Sequence, residues 1–352
     1  MNILFLIGNG FDLALRLGTS YASFYHDYKE NHSINKNRAQ SICDEFLLGM
    51  IEKACDNNNK LWSDLELAIG RFDYQCLCSE KWISVSNRAA DIKWILEDAL
   101  RAFLYKRQIS VKTNMPQAPN VVRTYALMKM QQLLSLIVQT CEMSERYDLK
   151  SIKFLSLNYT DSLEFLYGDH LRIHHAHRSL KDGALIFGVD NHNQLTNDMG
   201  PHEQLLTKLG QLQTNLLEWV EKDTRRMIYD SDIIVCYGLS LGATDNRIWR
   251  MIRERLDRSR LSRVILCPYL KDIEKSRMCD RELCSSSLRQ RFFDAITEQC
   301  STNEELRSRY DAQILVMPFI REYVNDNETY SNDYLGLDHI ADMLGIPNDL
   351  EV

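Results

Sequence analysis

The chain has 352 residues, of which 45% are hydrophobic and 26% are charged, and its formal net charge is -7. This composition is that of a folded protein with one large domain or two ordinary ones, and it excludes a disordered or low-complexity chain. The acidic balance, without long runs of one charge, argues against nucleic acid as the main partner.

Features of secreted and membrane proteins are missing from the sequence. No apolar run approaches the length of a transmembrane helix, and the first residues lack the basic flank of a signal peptide. The 10 cysteines are scattered without the paired spacing of zinc motifs, which fits reduced thiols in the cytoplasm. We therefore expect a cytoplasmic protein with no membrane partner, and we assign no metal site.

The first predicted element is a short apolar strand, residues 3–7, which breaks sharply into Gly8, Asn9 and Gly10. A buried parallel strand followed by a glycine turn and a helix is typical of nucleotide-binding α/β folds, in which the helix N-terminus faces a phosphate. Leu13 stands where the full Gly-x-Gly-x-x-Gly pattern has a glycine, and no P-loop lysine follows. A plain tight turn is therefore the alternative interpretation.

The next block, up to about residue 150, shows helical periodicity and no convincing strand. Apolar residues recur three and four positions apart in residues 41–54, 85–105 and 121–141, as on one face of a helix. We therefore predict a large helical insertion after the first strand, over residues 21–150. We expect it to pack over the carboxyl edge of the sheet as a cap.

The rest of the chain alternates short apolar runs with helical patterns, which favours a mostly parallel sheet with flanking helices. The expected fold class is α/β, with a Rossmann-like core over residues 1–20 and 151–320 and a C-terminal helical segment over residues 321–352. The predicted strands are residues 3–7, 152–157, 171–174, 184–189, 233–237, 264–267 and 314–317, and two further helices are expected over residues 203–225 and 245–256.

A polar cluster follows the strand predicted over residues 152–157. Asn158, Tyr159, Thr160 and Asp161 stand between this strand and the next helical pattern. Thr160 or Asp161 fits a helix N-cap, which would explain these two residues without a ligand. Asn158 is unusual at the end of a strand, and its amide could hold a ribose hydroxyl or a water molecule.

Three of the nine histidines fall within four positions, at His174, His175 and His177. In an extended segment His175 and His177 share one face, and His174 lies opposite. A His-x-His pair needs a further ligand to hold a metal, whereas a single histidine beside a polar cleft can act as a general base. Histidines bonded to backbone groups are the structural alternative. Because residues 184–189 are predicted to return as a strand, we expect the histidines on a hairpin-like element.

The strand predicted over residues 233–237 ends in a loop with glycine and hydroxyl groups, including Gly238, Ser240 and Asp245. The loop is similar to a serine nucleophile elbow, but only His339 follows Ser240 as a candidate base, so this mechanism is not favoured. A phosphate or ribose contact and a simple capped connection both remain as interpretations. Because carboxyl-end loops of an open parallel sheet converge on one crevice, we expect these loops to form a single nucleotide site.

Five motifs occur in a fixed order along the first 250 residues. They are Gly8-Asn9-Gly10-Phe11-Asp12 with Thr19-Ser20-Tyr21, then Trp62-Ser63-Asp64-Leu65-Glu66, Asn158-Tyr159-Thr160, His175-Ala176-His177, and Tyr237-Gly238-Leu239-Ser240-Leu241-Gly242-Ala243-Thr244-Asp245. Together they resemble the bacteriophage abortive-infection AbiH family. This resemblance implies a role in defence against phage, in which an infected cell stops growing or dies. A phage-derived trigger and a homo-oligomer would fit that role.

The same order of motifs is also similar to a sirtuin-like NAD-binding fold. This resemblance implies an enzyme that hydrolyses NAD to nicotinamide and ADP-ribose, with NAD as substrate and no required cofactor. The implied catalytic residues are His177 as general base, with Asn158 and Asp12 to orient the water and stabilise the ribose cation. The implied nucleotide-binding residues are Gly8, Asn9, Gly10, Phe11, Ser20, Tyr159, Thr160, His175, Arg178, Gly238, Ser240 and Asp245.

Two positions depart from the sirtuin-like pattern. Thr160 stands where that pattern has an acidic residue, and Arg178 stands where a glycine follows the catalytic histidine. These departures favour a second hypothesis, a non-catalytic module that senses a nucleotide or a phage component. A third hypothesis is a metal-dependent nuclease or hydrolase built on His174, His175, His177 and Asp190.

Overall fold

The computed structural model describes residues 1–31, 65–72, 85–114, 119–141, 148–168, 171–196, 203–214, 216–268, 278–297, 304–324 and 327–347. The helix predicted over residues 41–54 lies outside these ranges, as do the first three residues of the motif over residues 62–66.

Six parallel strands form the central sheet, in the order β3-β2-β1-β4-β5-β6. The predicted α/β class with a Rossmann-like parallel sheet is therefore confirmed. The strand order reverses between β1 and β4, and ligands of open parallel sheets bind outside the carboxyl ends of the strands at such a reversal. The strands are β1 (Asn2–Ile7), β2 (Ser151–Ser156), β3 (Arg172–His175), β4 (Ile233–Tyr237), β5 (Arg263–Leu266) and β6 (Ile314–Val316).

Helices occupy both faces and the carboxyl edge of this sheet. None of the described helices is long and apolar enough to cross a membrane. In chain order the described helices are α1 (Gly10–Ala14), α2 (Tyr21–Asn31), α3 (Leu65–Arg71), α4 (Val85–Asn114), α5 (Pro119–Thr140), α6 (Ser162–Tyr167), α7 (Glu203–Leu206), α8 (Lys208–Thr214), α9 (Glu218–Tyr229), α10 (Asn246–Arg258), α11 (Met278–Ile296), α12 (Glu304–Asp311) and α13 (Leu337–Met343).

Alternation along the strands sends apolar side chains to both faces of the sheet. In β1, Phe5 is buried on one face and Leu4 on the other. The Phe5 face packs against α1, α5, α6 and α13. The Leu4 face packs against α9, α10 and α11, and against Tyr310 of α12. Because both faces are covered, the strands read as continuous apolar runs, which is why they could be predicted.

The block between β1 and β2 is helical wherever the structure describes it, as predicted. Helices α2, α3 and α4 share an apolar cluster with Leu185, Phe187 and Leu206, which lie in the segments after β3. These three helices therefore pack against the segments that follow β3 at the carboxyl edge, whereas the cap itself stays a prediction. Helix α5 differs from the prediction, because its residues Val122 and Ala126 pack on a face of the sheet.

The strand predicted over residues 184–189 is not formed, and the prediction was wrong for a reason that lies in the backbone. Gly188 has a φ of 143°, and a Cβ atom there would lie 2.2 Å from Leu206 O. The segment is held instead by Ile186 N, which donates to His177 O, and by Val189 N, which donates to Leu206 O. The histidines therefore precede a loop and do not lie on a β-hairpin.

Two further elements differ from the prediction. The single helix predicted over residues 203–225 is divided into α7, α8 and the first part of α9, and Leu216 between α8 and α9 has a φ of 55°. The C-terminal segment contains α13, as a helical segment should, but an antiparallel hairpin of β7 (Ile320–Val324) and β8 (Asn327–Ser331) comes before it. Helix α13 is tied to the N-terminal region by Arg16, which pairs with Asp338 and Asp342.

Candidate functional site

Four loops meet at the carboxyl edge of the sheet, each directly after one of four neighbouring strands. Leu157 N donates to Ile7 O over 2.8 Å, and Ala176 N donates to Ser156 O over 3.0 Å, so the loops continue the order of the strands. The four strands lie in the order β3-β2-β1-β4. The loops that follow them therefore place four residues side by side on both sides of the reversal of strand order, namely His177, Asn158, Gly8 and Gly238.

The glycine turn after β1 packs directly against the loop after β4. Gly8 N donates to Tyr237 O, and Gly10 N donates to Gly238 O, both over 2.9 Å. A Cβ atom on Gly10 would lie 2.5 Å from Gly238 Cα, which explains why both positions are glycine. Both N–H groups already donate hydrogen bonds within the fold, so they could donate to a phosphate only if the two loops separated.

Three other residues predicted to bind the nucleotide have local partners. Asn9 is exposed, and its side chain accepts from Thr19 Oγ1 over 2.7 Å and donates to Thr19 O over 3.1 Å. Phe11 is fully buried in the core. Ser20 Oγ accepts from Ser23 N over 3.1 Å at the start of α2. Of these three side chains, Asn9 is therefore the one that the turn presents to solvent.

Asp12 is buried in α1, with two hydroxyl groups bound to its carboxylate. Thr160 Oγ1 donates to Oδ2 over 2.5 Å, and Ser162 Oγ donates to Oδ1. Burial raises the pKa of Asp12 to about 6, although these two hydrogen bonds act in the opposite direction. The Asp12 carboxyl group therefore titrates close to neutral pH, as catalytic carboxyl groups often do. Thr160 stands where the sirtuin-like pattern has an acidic residue, and it contacts the carboxyl group of Asp12 in α1.

Asn158 is buried and has an amide donor that the fold does not use. Its Nδ2 has no hydrogen-bond partner. The backbone of Asn158 is fixed, because its N–H donates to Ser156 Oγ over 3.1 Å and its carbonyl oxygen accepts from His175 Nδ1 over 3.0 Å. The amide is therefore held in place and available to a ligand or a water molecule.

A group of buried charges lies beside the loops after β3 and β4. Lys208 Nζ lies 2.8 Å from Glu66 Oε2 and 2.9 Å from Asp245 Oδ1. His177 Nε2 lies 3.0 Å from the same Asp245 oxygen but outside hydrogen-bond geometry, and its Nδ1 lies 3.2 Å from Leu157 O. We refer to Glu66, Lys208, Asp245 and His177 as the buried charge group.

Lys208 has a strong influence on protonation in the buried charge group. Burial lowers the pKa of Lys208, but the carboxylates of Asp245 and Glu66 outweigh burial and raise it. Burial and the Lys208 charge both lower the pKa of His177. Burial opposes ionisation of Asp245, yet the Lys208 charge lowers its pKa. With two carboxylates, one ammonium and a neutral imidazole, the group carries a net charge of about -1 at neutral pH.

Of the remaining residues predicted to bind the nucleotide, Tyr159 contacts this group. Tyr159 OH donates to Glu66 Oε1 over 2.5 Å, and burial followed by the Glu66 charge raises the pKa of Tyr159 well above its usual value. Arg178 has a φ of 62°, in the left-handed region that favours glycine, and its guanidinium donates to Asp182 O. Ser240 is exposed. Arg178 therefore adopts a backbone conformation suited to the glycine that the sirtuin-like pattern has at this position.

The four residues of the metal-dependent hypothesis do not converge, so the arrangement that it needs is not formed. His174 Nε2 lies 3.0 Å from Thr224 Oγ1 of α9. Asp190 lies beside α10, where its Oδ1 accepts from Arg247 N over 3.3 Å. His177 belongs to the buried charge group, and among the described residues His175 is the histidine that shares a cluster of potential metal ligands, with Asp161 and Glu164.

An open cleft lies on the α9–α10 side of the same edge. Its volume is about 230 Å³, and its lining includes Glu221, Arg225, Arg247 and Arg250. Arg247 connects the cleft to the histidine segment, because its Nη2 donates to Ala176 O over 3.1 Å. The cleft thus brings guanidinium groups to within one residue of His177.

Sequence reasoning missed Lys208 altogether and gave Glu66 no role. Lys208 stands within a polar stretch predicted as one long helix, where a lysine is ordinary. Its burial depends on two carboxylates that approach from α3 and from the loop after β4, which no local pattern reveals. Glu66 belongs to the motif over residues 62–66, which was noted only as part of the family resemblance.

Comparison with known proteins gives one match. The family model described as "Bacteriophage abortive infection AbiH" matches residues 4–266, which is about three quarters of the chain. No curated protein and no solved structure matches the chain. The match agrees with the family resemblance drawn from the motifs, whereas the sirtuin-like resemblance stays a prediction.

Proposed function

The chain belongs to the bacteriophage abortive infection AbiH family, a family of phage defence, and we propose that it binds NAD or a related nucleotide and hydrolyses it to nicotinamide and ADP-ribose. The site of this reaction is the carboxyl edge around Asn158 and His177. The proposed catalytic residues are His177, Asn158 and Asp12.

A buried polar atom without a partner, Asn158 Nδ2, supports this proposal most directly. Buried polar atoms in folded proteins are nearly always bonded, so this amide indicates a place for a polar ligand or water at the edge of the sheet. His177 follows the neighbouring strand β3, and its Nε2 faces Asp245 Oδ1 at 3.0 Å without hydrogen-bond geometry. These are the same two residues to which the sirtuin-like resemblance gives roles in the reaction.

The charges at this edge fit cleavage of the nicotinamide–ribose bond. The bond breaks with its electrons leaving on nicotinamide, and the ribose develops positive charge that the net negative buried charge group would stabilise. Water then attacks the ribose carbon, and neutral His177 accepts the proton that this water releases. Asn158 would orient the water or a ribose hydroxyl, and ionised Asp12 would add to the negative potential.

Substrate can reach this site only if the covering helices move. His177 is 2% exposed and Asp12 is 1% exposed. Helix α4 closes the edge through Gln108 Oε1, which accepts from Asp161 N over 3.0 Å, and through Glu97 Oε1, which accepts from Leu185 N over 2.8 Å. We propose that displacement of α4 opens the site, so that the enzyme stays latent until infection.

A non-catalytic nucleotide-sensing module is the second candidate function, and one observation favours it. The N–H groups of Gly8 and Gly10 donate to Tyr237 O and Gly238 O. The glycine turn therefore lacks the free backbone donors with which such turns hold phosphate in NAD enzymes. A sensor could bind the nucleotide elsewhere along the edge without cleaving it.

Nicotinamide release separates the two candidates. The purified protein is incubated with NAD, alone and in lysate from phage-infected cells, and nicotinamide is followed by chromatography. We expect release that Asn158→Ala and His177→Ala abolish and that His174→Ala, a change at the neighbouring histidine bonded to α9, preserves. Release that persists in both site variants would contradict the proposal, and saturable NAD binding without release would support the sensor.

A further inference from the structure

We propose that Asp161, Glu164 and His175 bind a divalent transition-metal ion between the loop after β2, helix α6 and the end of β3. One ligand atom from each residue can be chosen so that all three lie within 4.8 Å of one another. One imidazole and two carboxylates suit Zn²⁺, Co²⁺ or Mn²⁺, whereas Mg²⁺ and Ca²⁺ prefer ligand sets made only of oxygen. This site is separate from the buried charge group and is not part of the proposed hydrolysis.

Two carboxylate oxygens at this place are buried and make no hydrogen bond. They are Asp161 Oδ1 and Glu164 Oε2. Asp161 is 7% exposed, and although it occupies the N-cap position of α6, its side chain makes no capping bond. Thr160, the other residue suited to cap this helix, bonds to Asp12 instead. The Asp161 carboxylate therefore makes no capping bond to the helix, and its buried oxygen is available to a cation.

His175 has the orientation that metal-binding histidines commonly have. Its Nδ1 lies 3.0 Å from Asn158 O, and because a carbonyl oxygen only accepts, this nitrogen carries a proton. Its Nε2 points the other way and lies 2.9 Å from Glu164 Oε1. A backbone carbonyl that fixes the protonated ring nitrogen, and so aims the second nitrogen at the ion, is the usual outer-shell arrangement around metal-bound histidine.

Lys181 supplies positive charge at this place and would compete with a metal ion. Its Nζ lies 2.5 Å from Glu164 Oε1 and 3.8 Å from Asp161 Oδ1, which is too far for a hydrogen bond. The Lys181 side chain is 53% exposed, so it can swing into solvent at little cost. The affinity for a metal ion should therefore depend on this one removable charge.

The test is a titration of the full chain with Zn²⁺ by calorimetry and with Co²⁺ by visible absorption. We expect one ion per chain, and binding at least about 10-fold tighter in Lys181→Ala, because a unit positive charge next to the ion is removed. Glu164→Gln and His175→Gln should each bind at least about 10-fold more weakly. Two control variants should bind as the wild type does, namely Lys222→Ala and His174→Gln.

Urea unfolding without metal first establishes that each variant is folded. Lys181→Ala removes an exposed side chain, so its result stands even if a ligand variant proves unstable. Binding by neither the wild type nor Lys181→Ala would overturn the proposal. Binding to Glu164→Gln or His175→Gln as tight as to the wild type would also overturn it, because the ion would then lie elsewhere.

Discussion

Asp245 Oδ1 lies 3.0 Å from His177 Nε2 but forms no hydrogen bond with it. The same oxygen accepts a hydrogen bond from Lys208 Nζ over 2.9 Å. One carboxylate oxygen of Asp245 thus faces both the buried ammonium of Lys208 and the candidate general base His177, and its hydrogen bond is with the ammonium. The Lys208 charge therefore adds to burial in lowering the pKa of His177, and its removal has effects that can be measured.

Lys208→Met should raise the pKa of His177 above its present, lowered value. Burial, the Lys208 charge and the Arg247 charge lower that pKa, whereas Asp245 raises it, so removing the lysine strengthens the influence of the carboxylate. The measurement is an NMR titration of the histidine ring protons. The double variant Glu66→Gln with Lys208→Met keeps the net charge of the group and should show the same direction of change. An unchanged His177 pKa would show that the Lys208 charge does not contribute to it.

Lys208→Met should also destabilise the fold by about 3–5 kcal/mol, because two buried carboxylates lose their shared counterion. Lys208 is buried and pairs with Glu66 and Asp245. Lys222→Met is the matched control, since the Lys222 side chain is 78% exposed and pairs with Glu218 in the same helix. It should cost less than about 0.5 kcal/mol. Urea unfolding of both variants measures the two losses of stability, and equal losses would contradict this prediction.

Asp12→Asn should stabilise the protein at pH 8, by up to about 3 kcal/mol, and this gain should shrink as the pH falls. The pKa of Asp12 is raised from 3.8 to about 6, so the folded state holds the proton more tightly than the unfolded state does. The wild type therefore loses stability as the pH rises through about 6, and the amide removes that loss. Urea unfolding at several pH values measures the difference between the two proteins.

The control for Asp12 is Asp98→Asn, a change on the exposed side of α4. Activity gives an independent measure, because the proposed reaction uses ionised Asp12. Nicotinamide release by the wild type should therefore rise as the pH passes through about 6. A gain in stability that stays constant from pH 8 to pH 4 would mean that Asp12 does not titrate in this range.

Gly238→Ala should destabilise the fold far more than Gly345→Ala. The two glycines have nearly equal φ values, 65° and 64°, so the conformational cost of a side chain, about 1–2 kcal/mol, is shared. At Gly238 a new Cβ would lie 2.8 Å from Gly10 Cα, whereas at Gly345 no atom of the described residues lies within 4 Å. We expect more than about 3 kcal/mol at Gly238 by urea unfolding. Equal costs would show that the two loops do not need this contact.

Cysteine labelling should distinguish buried from exposed thiols. Burial raises the pKa of Cys236 and of Cys267 well above the ordinary thiol value, so neither forms the reactive thiolate at pH 8. Cys279 is exposed on α11. Iodoacetamide followed by peptide mass spectrometry should therefore modify Cys279 in the native protein, and Cys236 and Cys267 only after denaturation. Native labelling of Cys236 would indicate that the sheet opens.

The sheet could be predicted because each strand is covered on both faces and is therefore apolar along its whole length. Residues 184–189 have the same composition but form no strand, because Gly188 turns the backbone and places the segment against α7. The helical character of α5 was also readable. Which surface it covers was not, because an apolar helix face does not specify its partner.

The candidate site was predictable where polar residues directly follow strands, as Asn158 and His177 do. It was not predictable where elements far apart in sequence bring charges together, as Glu66 and Lys208 show. The glycine turn gives a third lesson. Gly8 and Gly10 fit a phosphate turn in sequence, but in the structure their N–H groups hold the loop after β4. A glycine pattern alone does not separate close backbone packing from ligand binding.

The family match ends at residue 266, but the folded unit extends beyond it. Strand β6 pairs with β5, and apolar residues from α11 and α13, among them Phe292 and Ile340, complete the two cores. In a protein shortened to the matched region, the outer edge of β5 would be unpaired. Both faces of the sheet would also lose apolar side chains that cover them. Such a fragment would present an open strand edge for pairing with a second copy, so the matched region should be studied together with the residues that follow it.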